Sequence, residues 1–158
     1  MTIHAWRIVK AKHASTAFSG DGSNKYGARW NSPGAAVVYV AGSTSLAMLE
    51  RLVHFHSSKE LLYRYVLFEV IFDEALLTVI DVDALPKTWR KSPPAEALQQ
   101  LGDAWIANAG SAILRVPSAI VSSEWNYLLN PAHPDFKRIT IGPKQPVRFD
   151  HRLVKPVA

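Results

Sequence analysis

Residues 37–53, VVYVAGSTSLAMLERLV, join a strand to a helix and decide the fold class of the chain. Val37–Val40 is β-branched and aromatic and is bounded on both sides by turn-forming residues, which is typical of a short strand. Ser43 or Thr44 can cap a helix that is predicted to run to about His56. Residues 37–53 are therefore predicted to form a strand followed directly by a helix.

The predicted helix has one apolar face and one carboxylate at the margin of that face. At about 100° per residue, one arc of the helix carries Leu46, Leu49, Leu52 and Val53. Glu50 lies at the edge of this arc, so it is either a solvated surface carboxylate or a carboxylate beside a buried stripe. The helix alone favours the solvated interpretation, because Glu is rarely buried without a partner.

Strands are predicted on both sides of this unit. The chain begins with a predicted strand at Ile3–Val9, and Pro93-Pro94 opens a second predicted helix at Ala95–Asn108. The remaining strands are predicted at Tyr63–Phe72, Leu77–Val82 as its neighbour, Ala112–Val116, Ala119–Val121, Ile139–Ile141 and Val147–Phe149. Strands and two helices without regular βαβ alternation indicate a compact α+β domain.

Two stretches are predicted to lack regular structure. Lys12–Ser32 is polar and carries three glycines, and a loop of this length inside a compact domain is usually functional. Asn130-Pro131 and His133-Pro134 are turn signals. The C-terminal part of the chain is therefore predicted to be irregular apart from its two short strands.

Length and composition bound the class of protein. The chain has 158 residues and is 48% hydrophobic, which suits one globular domain over residues 1–158 and excludes a disordered or collagen-like chain. The sequence contains no cysteine, which excludes disulfides, thiolate metal sites and cysteine nucleophiles. Its formal net charge of +5 favours an anionic partner: nucleic acid, a phosphorylated metabolite or an acidic protein.

Location and nucleic-acid binding follow from the same composition. Met1–Arg7 lacks the charged and apolar regions of a signal peptide, and no apolar run reaches the length of a membrane span. The expected location is the cytoplasm, with no membrane partner.

Lysines and arginines are scattered rather than grouped into a polybasic arm. Direct binding of nucleic acid is therefore not expected, although a surface of distributed basic residues stays open as an alternative.

Several common catalytic motifs are absent from the sequence. Gly20 and Gly22 lack the third glycine of a dinucleotide fingerprint, and there is no P-loop and no nucleophile elbow. His54 and His56 are two positions apart, so on a helix they point away from each other, and no His-Glu-x-x-His motif occurs. No metal site is predicted.

Three places remain as candidates for binding or catalysis. Arg29 and Trp30 follow the glycine-containing loop, where Arg suits a phosphate and Trp can stack on a ring; a surface Arg beside a core Trp is the alternative. Tyr39, taken alone, is typical of a core residue. Ser118 has no base beside it in the sequence, so it is predicted to hydrogen-bond or to stabilise a turn. The Asn and His residues that follow it between 126 and 133 are also compatible with plain turn chemistry.

Taken in order, these segments carry a resemblance to a known family. The motifs are Trp6-Arg7, Gly27-x-Arg29-Trp30-Asn31-x-Pro33-Gly34, Val38-Tyr39, Ala47-Met48-Leu49-Glu50 with His54 one turn later, Val116-Pro117-Ser118-Ala119, and Asn126-Tyr127-Leu128-Leu129-Asn130-Pro131-x-His133. Their order resembles the RES domain, which is named for its Arg, Glu and Ser and is the toxin half of RES–Xre toxin–antitoxin pairs. The resemblance covers the chain from about Trp6 to Arg152.

The resemblance implies a fold, an activity and a partner. The implied fold is similar to that of ADP-ribosyltransferase toxins, with a split β-sheet core, flanking helices and a cleft. The implied activity is that of an enzyme that uses NAD⁺ as a substrate, without a further cofactor, by hydrolysis or phosphorolysis, or by transfer of ADP-ribose to a protein. Growth arrest and neutralisation by an Xre-type (helix-turn-helix) antitoxin are implied as well. A basic, non-catalytic module that binds nucleic acid is the alternative from a different class.

The resemblance also implies site residues. Its main functional positions match Arg29, Tyr39, Glu50 and Ser118, and weaker positions match Arg7, Asn126 and His133. We take Glu50, Arg29 and Tyr39 as the predicted catalytic set. The predicted NAD⁺-binding set consists of Arg7, Arg29, Trp30, Tyr39, Ser118, Asn126 and His133.

With the resemblance in view, each predicted residue has a chemical task. Glu50 would stabilise the oxocarbenium-like transition state of nicotinamide–ribose cleavage. Arg29 would hold the pyrophosphate, with Arg7 as a second clamp. Tyr39 would stack on nicotinamide or orient the ribose, and Ser118 would hydrogen-bond to the substrate; these last two roles are interchangeable on the sequence alone.

Overall fold

The computed structural model describes residues 1–154, which form eight strands and three α-helices. The strands are β1 (Thr2–Lys10), β2 (Val38–Ala41), β3 (Tyr65–Asp73), β4 (Leu77–Val79), β5 (Ile113–Pro117), β6 (Trp125–Leu129), β7 (Thr140–Ile141) and β8 (Gln145–Val147). The helices are α1 (Asp21–Tyr26), α2 (Thr44–Leu52) and α3 (Glu96–Asn108). Short 3-10 helices lie at Ala11–Thr16, Ser58–Leu62, Glu74–Leu76, Val82–Ala84, Pro134–Arg138 and His151–Leu153.

All eight strands belong to one sheet. Its order is β4-β5-β6-β2-β1-β3-β7, and β8 pairs with β3 outside this path. Every pairing is antiparallel except that of β4 with β5. The α+β class predicted from the sequence is confirmed.

The sheet opens between β1 and β2. β1 pairs with β3 from Thr2 to Lys10, whereas it pairs with β2 only through Trp6 opposite Ala41. Beyond that pair, the Arg7 side chain takes the place of a strand partner, because its Nη1 donates to the carbonyl oxygen of Tyr39 at 2.9 Å. The opening produces the cleft that the resemblance implied.

The two longer helices pack on the sheet by their apolar faces. In α2, Leu46 and Ala47 pack against Ala41 and Ile8 of the neighbouring strands. The helix begins where the sequence predicts it, since the Ser43 Oγ accepts a hydrogen bond from the Leu46 N–H at 3.0 Å. The cap and the apolar face together hold α2 across the opening of the sheet.

Helix α3 is locked against the segment that precedes β2. Leu98 and Trp105 of α3 pack with Trp30 in one apolar cluster. Gly102 faces the backbone of Trp30 so closely that a Cβ at this position would lie 1.6 Å from the Trp30 carbonyl oxygen. The contact fixes the position of Arg29, the neighbour of Trp30 in the chain.

The structure corrects two predictions for the first half of the chain. Lys12–Ser32 was predicted to be a loop, but it contains a 3-10 helix and α1, neither of which buries a residue. Helix α2 ends at Leu52 rather than near His56. The first difference arises because neither short helix has an apolar face. The second arises because the N–H groups of His54 and Phe55 bond to the carbonyl oxygens three residues earlier, of Arg51 and Leu52, so the α-helical pattern ends.

The second half of the chain contains three further corrections. Strand β4 pairs with β5 and not with β3, so the predicted neighbour relation was wrong. Ala119–Val121 lies in the connection between β5 and β6 and is not a strand. Strand β6, where no strand was predicted, lies inside the sheet between β5 and β2.

A membrane crossing was not expected from the sequence. Among residues 1–154, none of the helices has the length and apolar character that crossing a membrane requires.

Candidate active site

A cavity of about 1000 Å³ lies at the opening between β1 and β2. Six of the predicted site residues line it: Arg7, Arg29, Trp30, Tyr39, Glu50 and Asn126. Ser118 and His133 are not among its lining residues. Its volume is at the upper end of the range of small-molecule and cofactor sites.

Glu50 is held by two side-chain donors at the wall of the cavity. The Ser118 Oγ donates to the Glu50 Oε1 at 2.8 Å, and the Asn126 Nδ2 donates to the same oxygen at 2.6 Å. Because one oxygen takes both hydrogen bonds, the other carboxylate oxygen is left for a ligand. The carboxylate is therefore oriented before any substrate binds.

Ser118 lies behind Glu50 rather than in the cavity. The residue is 0% exposed, and its Oγ accepts hydrogen bonds from the backbone N–H groups of Ile120 and Val121, both at 3.1 Å. These contacts fix the hydroxyl so that its only proton points at Glu50. The geometry makes Ser118 a positioning residue that acts through the carboxylate.

Asn126 has one polar atom without a partner. Its Oδ1 is buried and accepts no hydrogen bond from the part of the chain that the structure describes. A buried acceptor without a donor carries a cost in free energy of about 1–3 kcal/mol. Since Asn126 lines the cavity, this buried oxygen lies beside the space in which a ligand would bind.

Arg7 is anchored by the backbone on either side of the opening. Its Nε donates to the Ala17 carbonyl at 2.7 Å and its Nη1 to the Tyr39 carbonyl at 2.9 Å. Burial, together with the positive charge of Arg51, lowers the pKa of Arg7 to about 10. The guanidinium is therefore charged at neutral pH and oriented into the cavity wall.

Tyr39 contributes its ring to the cavity while its hydroxyl is used elsewhere. The hydroxyl donates to the Asn31 Oδ1 at 2.6 Å and accepts from the Trp30 N–H at 3.2 Å. Burial is the main cause that raises the pKa of Tyr39 far above its usual value. The hydroxyl is thus neutral and locked, and the aromatic face is the part that a ligand can contact.

Arg29 reaches across to the segment before α3. Its Nη1 donates to the carbonyl oxygens of Trp89, at 3.1 Å, and Lys91, at 2.8 Å. Burial lowers the pKa of Arg29, and the charge of Glu50 opposes this shift. Arg29 therefore belongs to the electrostatic surroundings of the carboxylate and also ties the 89–91 segment to the cavity.

Two predicted binding residues, Trp30 and His133, make their main contacts with other parts of the protein. Trp30 is 2% exposed and packs in the core cluster with α3. The His133 Nδ1 accepts from the Asp135 N–H at 3.0 Å, and its Nε2 lies 2.9 Å from the Ala109 carbonyl. With Nδ1 as an acceptor, the proton is on Nε2 and is donated to Ala109. Both His133 nitrogens are thus used in joining the end of α3 to the 134–138 turn.

Two arginines that line the cavity, Arg51 and Arg90, were not among the predicted site residues. The Arg90 Nε donates to the Ala119 carbonyl at 3.1 Å, and the Arg51 guanidinium lies 5.8 Å from the centre of the Tyr65 ring. The position of Arg51, directly after Glu50 on the same helix, was the available signal. Arg90 comes from a segment without any recognisable motif.

Within residues 1–154, no group of three or more His, Asp or Glu side chains is arranged to hold a metal ion. The polar side chains that line the cavity are four arginines, one carboxylate, two amides, one histidine and the hydroxyls of two serines and two tyrosines. Such a donor set suits an anionic organic ligand with hydroxyl or amide groups better than a bare cation.

The motifs that carry this site are those of a known family. The family described as RES domain matches residues 4–150 of the chain. The chain belongs to the RES domain family.

Relatives of this RES domain are named as toxins. The chain is 39% identical over 151 residues to "Toxin Res" of Photorhabdus laumondii, covering 95% of this chain and 96% of that protein. It is 37% identical over 159 residues to "Prs ADP-ribosylating toxin" of a Sphingobium species, covering 98% of this chain and 99% of that protein. Family and relatives together support a toxin of a toxin–antitoxin system.

The fold is also similar to that of a solved structure. The Mycobacterium tuberculosis MbcT–MbcA toxin–antitoxin complex contains a chain that superposes with a TM-score of 0.75 at 18% identity, covering 97% of this chain and 87% of that one. At this level of identity the similarity concerns the fold. It agrees with the α+β architecture of the RES domain.

Proposed function

We propose that this RES domain is the toxin of a toxin–antitoxin pair and that it cleaves the nicotinamide–ribose bond of NAD⁺ by hydrolysis or phosphorolysis. Loss of NAD⁺ would then arrest growth. The observation that carries the proposal is the Glu50 carboxylate, fixed by Ser118 and Asn126 in the wall of a cavity lined by arginines.

The reaction needs a fixed negative charge beside the ribose. When the bond between ribose C1′ and the nicotinamide nitrogen breaks, its electron pair leaves with nicotinamide, which becomes neutral, and positive charge develops on the ribose. Water or phosphate then forms the new bond at C1′, and water gives up a proton. Because nicotinamide leaves without protonation, a general acid is not required; the main task of the protein is to stabilise the oxocarbenium-like charge.

Glu50 suits this task because its carboxylate is oriented in advance. Two donors hold the Oε1 atom, so the Oε2 atom can face the ribose. A preoriented charge costs no reorganisation when the transition state forms, which is where electrostatic catalysis gains most of its effect. The free Oδ1 of Asn126 can accept a hydrogen bond from a hydroxyl of the same sugar.

The arginines and the tyrosine suit the rest of the dinucleotide. The cavity is lined by four arginines and a single carboxylate, which favours an anionic ligand such as a diphosphate. Tyr39 presents an aromatic face in the same cavity, on which the nicotinamide ring can stack. NAD⁺ acts here as a substrate, and the proposal requires no further cofactor.

Transfer of ADP-ribose to a protein is a second candidate. It is favoured by the similarity to the Sphingobium protein, which is named an ADP-ribosylating toxin. The same bond breaks in both reactions, and only the acceptor at C1′ differs. The roles of Glu50 and of the arginines are therefore the same under either candidate.

An antitoxin is the proposed protein partner. The related fold from Mycobacterium tuberculosis was solved in a toxin–antitoxin complex, and the family resemblance points to an antitoxin of the Xre, helix-turn-helix type. Binding over the mouth of the cavity would keep NAD⁺ away from Glu50. An acidic surface on the antitoxin would complement the net charge of +5 of this chain.

Product analysis tests the proposed function. Purified protein is mixed with NAD⁺, with and without phosphate and with and without cell extract, and the products are separated by chromatography. Free ADP-ribose with nicotinamide indicates hydrolysis, ADP-ribose phosphate indicates phosphorolysis, and labelled protein indicates transfer. NAD⁺ that stays intact under all of these conditions would contradict both candidates.

A further inference from the structure

The arginines of the cavity outnumber its acidic groups. Arg7, Arg29, Arg51 and Arg90 all line the cavity, and Glu50 is the only carboxylate that lines it among residues 1–154. The ion pairs found within residues 1–154 involve other basic groups. The excess positive charge is thus not neutralised by this part of the protein itself.

Two of these arginines are tied to the backbone of the cavity rim. The Arg29 Nη1 is shared between the carbonyl oxygens of Trp89 and Lys91. The Arg90 Nε donates to the carbonyl oxygen of Ala119. Both residues therefore have a structural role that accounts for their presence, and Arg29 also lies in the field of Glu50.

The Arg51 guanidinium makes no hydrogen bond to the backbone of residues 1–154. It lies over the face of the Tyr65 ring, 5.8 Å from the ring centre. The nearby charge of Arg51 lowers the pKa of the buried Arg7, after burial itself as the main cause. Two like charges at one wall of a cavity repel each other. An anion bound between them would attract both guanidinium groups and so offset their repulsion.

We propose that Arg51, together with Arg7, binds the diphosphate of the dinucleotide. The inference rests on the proposed function for the identity of the ligand, and it assigns the diphosphate to this pair rather than to Arg29. Arg7 supplies a guanidinium fixed by two backbone hydrogen bonds. Arg51 supplies a second planar fork, the geometry that matches phosphate oxygens.

The position of Arg51 on α2 fits this assignment. Arg51 follows Glu50 directly, and consecutive residues on a helix point about 100° apart. The two side chains therefore line the same cavity in diverging directions. A ribose and the diphosphate attached to its 5′ carbon diverge in the same way, so Glu50 and Arg51 can contact neighbouring parts of one ligand.

A purely structural role for Arg51 makes a different prediction. Packing on Tyr65 and a favourable position in the last turn of α2 would affect the stability of the fold but not the discrimination between ligands. The test therefore compares ligands that contain a diphosphate with one that lacks it.

Calorimetric titration with ADP-ribose and with inorganic pyrophosphate tests the assignment directly. Arg51→Gln is expected to weaken binding of both by about tenfold to a hundredfold, the loss of one or two charge-assisted hydrogen bonds. Arg51→Lys keeps the positive charge but not the planar guanidinium. Its affinity for both ligands is expected to lie between those of the parent and of Arg51→Gln. Arg64→Gln, which removes an exposed arginine outside the cavity, is the matched control and should bind both ligands as the parent does.

Steady-state kinetics provide the second readout. Arg51→Gln should raise the KM for NAD⁺ with little change in kcat, and should leave the turnover of nicotinamide riboside, which has no diphosphate, unchanged. Parental affinity for ADP-ribose and pyrophosphate in folded Arg51→Gln would overturn the assignment, even if NAD⁺ is consumed. Pyrophosphate binding that depends on Arg51 in a protein that leaves NAD⁺ intact would uphold the anion site and contradict only the proposed function.

Discussion

At the scale of single residues, the proposed cleavage of NAD⁺ depends on how the Glu50 carboxylate is held. The Ser118 Oγ is fixed by two backbone N–H groups and gives its proton to the carboxylate. Its removal would leave Glu50 with one donor fewer and with more rotational freedom. The site should therefore lose preorganisation without losing any contact with the substrate.

Replacing Ser118 by alanine should lower kcat for NAD⁺ cleavage by about tenfold to a hundredfold, the equivalent of one hydrogen bond to a charged group. The KM should change little, because Ser118 is fully buried behind Glu50. Ser122→Ala, at an exposed serine of the same connection, is the control. A large rise in KM with an unchanged kcat would show that Ser118 contacts the substrate instead.

Asn126 offers a test based on pH. In Asn126→Asp, a second carboxyl group would stand where the amide now lies 2.6 Å from the Glu50 Oε1. Two carboxylates at this distance share a proton, which raises the apparent pKa of one of them. Only the protonated aspartic acid can donate to Glu50 as the amide does.

The kcat of Asn126→Asp should therefore be low at neutral pH and should recover as the pH falls toward the apparent pKa of the carboxyl pair. The measurement is a pH profile of NAD⁺ cleavage for the parent and for the variant. Superimposable profiles would mean that the Asn126 amide does not act through Glu50.

Residue types were more predictable from the sequence than their contacts. Glu50, Arg29 and Tyr39 were selected from motifs, and the structure brings them into one cavity. Ser118 was expected at the ligand, but no local pattern could show that a serine 68 positions away would lie behind Glu50. Arg51 was overlooked because a basic residue in the last turn of a helix already has an ordinary explanation in the helix dipole.

At the scale of elements, the start of α2 joins the helix to the sheet. The Ser43 Oγ accepts from the Leu46 N–H at 3.0 Å and donates to the Glu124 Oε1 at 2.9 Å. Glu124 directly precedes β6, which carries Asn126. The cap thus connects the helix that carries Glu50 with the strand that helps to hold it.

Ser43→Ala should reduce the free energy of unfolding by about 1 kcal/mol, the usual cost of losing an N-cap. Urea denaturation of the parent and the variant measures the difference. Ser45→Ala, an exposed position in the first turn of the same helix, should leave stability unchanged or slightly raise it, because alanine is the better helix former. Equal stability of Ser43→Ala and the parent would contradict the role of the cap.

Strand β2 and helix α2 were predictable because each has a clear local signal. Strand β6 lacks one: both of its pairings are antiparallel, a setting in which apolar and polar residues commonly alternate, but Tyr127, Leu128 and Leu129 are buried in succession. The usual strand signal is therefore missing from its sequence. Helix α1 was missed for another reason, since it buries no residue and so has no apolar periodicity.

At the scale of the whole molecule, charge should guide the substrate. The chain carries a formal net charge of +5, and four arginines line the cavity at the opening of the sheet. A positive cavity raises the rate at which an anion arrives, and salt screens this attraction. The composition thus suggested an anionic partner from the start, and the volume of the cavity, about 1000 Å³, is that of a small-molecule or cofactor site.

The affinity for ADP-ribose should therefore fall as the salt concentration rises. Calorimetric titration between low and physiological ionic strength measures the change, with nicotinamide as the uncharged comparison ligand. Affinity for ADP-ribose that does not respond to salt would mean that the arginines do not contact its phosphates.

In the proposed function, Glu50 drives cleavage of the nicotinamide–ribose bond. The most direct measurement is the rate of nicotinamide release from NAD⁺ by the purified protein and by Glu50→Gln, a variant of nearly the same shape without the negative charge. We expect the parent to release nicotinamide and Glu50→Gln to be slower by a factor of about a hundred or more, with unchanged binding of ADP-ribose as proof that the cavity is intact. Release by folded Glu50→Gln at the parental rate would contradict the account.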